Sequence, residues 1–63
     1  MLVASEVRFS EVRRMLEAKG YTLARIAGSH HVFTKGGARA VPIPVHRGKV
    51  KPAYVRLAKA LEE

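Results

Sequence analysis

The chain of 63 residues has no cysteine and no tryptophan, and its acidic residues are Glu6, Glu11, Glu17, Glu62 and Glu63, so no carboxylate lies between Ala18 and Leu61. Each absence excludes a class of protein. Without cysteine there is no disulfide framework to compensate for a thin core, no thiol nucleophile and no thiolate metal site. With every carboxylate in the terminal stretches, a paired-carboxylate glycosidase and a carboxylate-held Mg²⁺ or Ca²⁺ site are not expected. No apolar run approaches the ~20 residues that cross a bilayer, and the N-terminus lacks the hydrophobic stretch of a signal peptide. The expected setting is the cytoplasm, with no membrane partner. The length allows one domain, residues 1–63, and a chain of this size buries only about 60% of the surface its unfolded form exposes.

What the chain has in quantity is positive charge: Lys and Arg number 12, and the formal net charge is +7. Lys19, Arg25, Lys35, Arg39, Arg47, Lys49, Lys51, Arg56 and Lys59 occupy the acid-free stretch, so the body of the domain is purely cationic. Such a field favours a polyanion, either a nucleic acid or an acidic protein. A membrane-surface helix is disfavoured, because neither predicted helix sets a lysine-rich face against Trp or Phe.

Residues 1–9 have no clean period and read as a lead-in. Ser10 is expected to cap a helix in which Val12, Met15 and Leu16 form one apolar stripe, Glu11 complements the positive helix end, and Lys19-Gly20 supplies the stop. Tyr21 to Ala27 reads as a strand with poor alternation, Gly28-Ser29 as a tight link, and His30 to Lys35 as a second strand. After a turn at Gly36, Gly37 and Ala38, Arg39 to Val45 is a third strand, in which Val41, Ile43 and Val45 alternate with Pro42, Pro44 and His46. The β-branched set must be the buried face. Proline has no ladder donor, and two prolines of one parity place this strand at the sheet edge. His46 to Lys51 reads as a basic loop. Pro52 then opens a second helix with Tyr54, Leu57, Ala58 and Leu61 on one stripe. The sum is an α+β domain of two layers in the order α-β-β-β-α, a three-stranded antiparallel sheet with both helices on one face and the other face open.

The third strand also fixes a register. Setting Phe33 opposite Val41 keeps both on the buried face and places Lys35 opposite Arg39, whereas a two-residue turn would put Val41 on the wrong side. In that register His30 stands on the open face across from Pro44, and His46 falls on the same face at a diagonal, where Cβ atoms are typically about 7–8 Å apart. His31 points inward beside Phe33. The doublet His30-His31 therefore cannot ligate one ion, and the sequence offers no further ligands to complete a metal site. No cofactor is expected.

Histidine remains as the acid or base, the one side chain type that ordinarily exchanges a proton near neutrality. RNA carries its own nucleophile, the 2′-OH, so a base, an acid and a cation on the phosphate suffice for cleavage without metal. His30, His46 and a nearby Arg or Lys would form that set. The competing reading is that these histidines only add polar surface. Phe33, Tyr54 and Leu57 sit at the spacing of core residues rather than of a base-stacking platform.

The run Gly20-Tyr21, Arg25, Gly28-Ser29-His30-His31-Val32-Phe33 and Val41-Pro42-Ile43-Pro44-Val45-His46 closely resembles the HicA (YcfA-like) family of toxin mRNA interferases, over about residues 10–61. The resemblance implies a fold like a double-stranded-RNA-binding domain, ribosome-independent cleavage of mRNA and inhibition by a HicB-type antitoxin. By the motif match, His30 within Gly28-Ser29-His30 would be the catalytic histidine, with His31 offering a competing alignment. The chain departs from the family pattern in its extension before Ser10, and in Ala38 and Arg39 where a Pro-Asp-Gly-like hairpin is common. Neither departure is expected to touch the histidines. The leading expectation is a metal-independent endoribonuclease. It would use His30 as general base or acid, His46 as partner or orienting group, and Arg25, Lys35, Arg39, Arg47 and Lys49 as RNA contacts. A non-catalytic RNA-binding module and a basic protein that docks an acidic partner are the alternatives.

Overall fold

The computed structural model describes residues 6–61. The elements run β1 (Val7–Arg8), α1 (Phe9–Ala18), β2 (Thr22–Ala27), β3 (His30–Thr34), β4 (Val41–Pro44), β5 (Lys49–Val50) and α2 (Pro52–Ala60). β2, β3 and β4 form an antiparallel sheet in that order, and β1 and β5 pair separately. Phe33, Val41 and Ile43 of the sheet join Val12 and Leu16 of α1, Val50 of β5, and Val55 and Ala58 of α2 in one buried cluster. Residues of a single sheet face thus meet both helices, and the fold is the expected two-layer α+β arrangement. Its smallest extent, 15 Å, leaves room for no third layer.

The predicted register is observed: Phe33 pairs with Val41, His31 with Ile43 and His30 with Pro44. β4 is the edge strand. The Val45 amide donates to the Ser29 carbonyl at 2.7 Å, so the odd-numbered residues turn their backbone towards β3. Pro42 and Pro44 aim the side that lacks an N–H at solvent, as an edge requires. The β3–β4 ladder stops at Phe33–Val41, short of the pairing expected between Lys35 and Arg39. The chain turns there on a bond from the Ala38 amide to the Lys35 carbonyl at 3.0 Å.

Several expectations are corrected. Ser10 is not the cap of α1. The helix begins at Phe9 with Arg8 at the cap position and no side-chain bond, because the Gly48 carbonyl takes the Phe9 amide at 2.8 Å and supplies the missing acceptor from another part of the chain. Lys19 ends α1 through its backbone, its amide donating to the Leu16 carbonyl, but its side chain serves the other helix. Its ammonium donates to the carbonyls of Ala58, Lys59 and Leu61 at 2.8, 2.7 and 2.7 Å, so all three donors of one side chain close the C-terminal end of α2. In α2 the buried residues are Val55 and Ala58, whereas Leu57 is 44% exposed. The helix is rotated from the predicted stripe because Val55 lies in the core and the Leu57 side does not. Tyr21 precedes β2 rather than opening it and is buried. The basic loop from His46 to Lys51 is in fact a tight hairpin whose second arm, β5, pairs with β1, with Val7 opposite Val50 and Arg8 opposite Lys49.

Candidate nucleic-acid interface

The hairpin joining β2 to β3 turns on Gly28-Ser29, with Ala27 paired to His30 across it. Gly28 has φ 60°, whereas Ser29 is not among the residues of positive φ, which is the type II′ pattern with glycine first. A Cβ at Gly28 would meet nothing within 4 Å. The backbone angle, not crowding, is what calls for glycine there.

A second tight turn stands beside the first. The bond from Val45 to Ser29 carries the β3–β4 ladder one step past Pro44. His46 and Lys49 then exchange two backbone bonds of 2.9 Å around Arg47-Gly48. Arg47 and Gly48 have φ of 53° and 77°, the type I′ conformation, which ordinarily selects Asn or Gly. An arginine held there carries strain on the order of 1–2 kcal/mol. No ladder pair joins His46 to β3, so the continuous strand that would have set it diagonally to His30 ends at Pro44.

The feature that assembles the open face is a bulge. Leu23 pairs with Phe33, but Arg25 pairs with Val32, leaving Ala24 as an extra residue. Before the bulge, even-numbered Thr22 shares the open face with Thr34. After it, odd-numbered Arg25 and Ala27 share it with Val32 and His30. With unbroken alternation from Leu23, Arg25 would have pointed at the helices. Instead it stands diagonal to His30, at a Cβ separation of about 7–8 Å or less. The open face therefore carries Ala27, His30 and Pro44 on one rung and Arg25, Val32 and Pro42 on the next. Among the described residues no cavity opens on it.

The other site residues divide by position. Arg47 and Lys49 are exposed on the His46 hairpin, at the His30 end of the sheet. Arg39 is exposed at the opposite end, beyond the Phe33–Val41 rung. Lys35 is drawn away from the open face, with its ammonium 5.4 Å from the centroid of the Tyr21 ring.

The two adjacent histidines have separate surroundings. His30 is exposed and makes no side-chain hydrogen bond among the described residues. His31 lies half-buried on the helix side, its ring 4.5 Å from that of Phe9. Its Nδ1 is buried without a partner. The segment before Ser10 thus does touch a histidine, through Phe9, and its strand β1 braces the hairpin that presents His46 and Arg47. No sequence pattern announced either contact.

Compared with known proteins, residues 9–61 match the family described as the HicA toxin of bacterial toxin-antitoxin. The chain belongs to the HicA toxin family. Searches of curated proteins and of solved structures returned no match. The HicA span takes in both helices, the three-stranded sheet and all three histidines, and it begins at Phe9, so β1 falls outside it. The HicA assignment makes this chain the toxin of a toxin-antitoxin pair, in a family of mRNA-cleaving toxins.

Proposed function

We propose that this HicA toxin is a metal-independent endoribonuclease that cleaves mRNA in the cytoplasm with His30 as general base or acid, and that a HicB-type antitoxin holds it inactive. The observation that carries the reading is the position of His30. It is solvent-accessible and diagonal to Arg25, and among the described residues it makes no side-chain hydrogen bond and no carboxylate stands on its face. A base at His30 takes the proton of the ribose 2′-OH, the oxygen attacks the adjacent phosphorus, and the 5′-oxygen leaves with a proton from an acid on its far side. His46 or water serves as that acid, and Arg25 offsets the charge that builds on the phosphoryl oxygens. Products then end in 2′,3′-cyclic phosphate and 5′-OH. His31 is a poorer candidate for this role, because its Nδ1 is shut inside the domain.

Arg47 and Lys49 extend the cationic rim beside His30, and an acidic antitoxin fits the same surface, with charge steering its approach. The test is incubation of the pure protein with RNA in EDTA. Wild type should cleave, and His30→Ala should lose about 10²–10⁴-fold in rate while remaining folded. A substrate with 2′-deoxyribose at the cleaved position should survive. Cleavage by His30→Ala at the wild-type rate would overturn the assignment.

A further inference from the structure

Beside His30 and Arg25, towards the β4 edge, the open face is not cationic but apolar. Val32, Pro42 and Pro44 occupy its rungs. None of them belongs to the core cluster; on this face Pro42 is exposed and Val32 and Pro44 are half-buried, with Arg25 and His30 beside them. The protein's phenylalanines and tyrosines are not available there: Tyr21 and Phe33 are core, and Phe9 and Tyr54 pack against it. Among the described residues the face therefore lacks a Phe, Tyr or Trp platform for unpaired bases, with His30 its one aromatic ring. We infer that the Val32–Pro42 floor is a nucleobase seat, and that the RNA this site accepts is single-stranded at the point of cleavage. The inference rests on the ribonuclease reading above and adds the strand state of its substrate.

A double helix hides its base faces in its own stack and offers a protein only phosphates, 2′-hydroxyls and groove edges, for which a floor of valine and proline provides no donor or acceptor. A single strand offers the flat face of a base, which gains by leaving water against an apolar surface. Val32 and His30 are one rung apart, about 6.6 Å along the strand, so a base resting on Val32 leaves the neighbouring ribose beside the His30 ring. Arg25, paired with Val32, is then close to the backbone phosphate of the same nucleotide. Since valine and proline read no hydrogen-bonding edge, the seat tolerates any base and discriminates mainly against the lack of one.

The experiment uses a short fluorescein-labelled single-stranded RNA, first mapped for its cleaved bond, then remade with an abasic residue at each flanking position and also annealed into a duplex. Wild type should cleave the intact strand about fivefold faster than one abasic analogue, and the duplex more slowly still. Val32→Thr keeps the shape and strand preference of the residue but puts a hydroxyl on the floor. It should cleave the intact strand about fivefold more slowly than wild type and should not distinguish it from that analogue. Equal rates on intact and every abasic strand, or preference for the duplex, would overturn the inference while leaving the ribonuclease reading in place. The binding of the same RNAs to His30→Ala separates the two failures. If wild type cleaves nothing, the ribonuclease reading falls, and a fivefold affinity gap between intact and abasic strands would still support the seat, whereas no gap would remove it.

Discussion

His30 and His31 are chemically identical neighbours, and the two faces of β3 treat them as different residues. On the helix side, Phe33 and Ile43 are fully buried and His31 is packed on Phe9. On the open side, His30, Arg25 and Pro42 are exposed, with no described element above them. The lesson is that in a domain this small one sheet face is given over mainly to stability and the other mainly to contact. A substitution should show one cost or the other, with little mixing.

The largest separation is expected between Phe33→Ala and His30→Ala. A chain of this size has a total stability of about 3–9 kcal/mol, and truncating a fully buried Phe costs about 3–5 kcal/mol, enough to leave the first variant largely unfolded at 37 °C. His30→Ala should change stability by less than about 0.5 kcal/mol. Urea denaturation monitored by circular dichroism reads both. Similar midpoints would mean that the faces are not divided as described.

A smaller contrast tests the intermediate case, His31. Truncation to Ala removes the contact with Phe9 and should destabilise by about 1–2 kcal/mol. His31→Leu fills the space without the orphaned Nδ1, whose burial costs about 1–3 kcal/mol, so it should equal or exceed wild type in thermal stability and retain cleavage. Loss of cleavage in a folded His31→Leu would move the chemistry to the inner face. The smallest effect is expected from deletion of Ala24. Pairing on both sides of the bulge would then run in one unbroken register, with Leu23 still inward and Arg25 still outward. The melting temperature should shift by only a few degrees, and NMR contacts between Arg25 and Val32 should persist.

Most of the sheet was legible because its key positions are over-determined. Val41, Ile43 and Val45 fix one parity, Pro42 and Pro44 fix the edge, and together they leave a single register for Phe33 and hence for His30. β2 resisted the same treatment, and its poor alternation was itself the trace of the bulge: one extra residue reverses the parity, so no single alternating pattern fits Thr22 to Ala27. The small β1–β5 sheet was not legible, since two-residue strands carry no period and the type I′ turn uses Arg47 where Asn or Gly would have announced it. Leu57 was misplaced because a helical stripe read at i, i+3, i+4 can turn by one residue when Val55 competes for the same core. Lys19 was read in its own helix because sequence proximity does not show which helix end an ammonium meets.

That last contact governs how the domain opens. The residue that stops α1 also binds the final carbonyls of α2, so neither helix end can fray alone: unwinding the last turn of α2 strands the Lys19 ammonium, and displacing Lys19 exposes those carbonyls to water. In hydrogen exchange, the terminal amides of the two helices should therefore behave as one cooperative unit with a shared opening free energy rather than as two separate fraying ends.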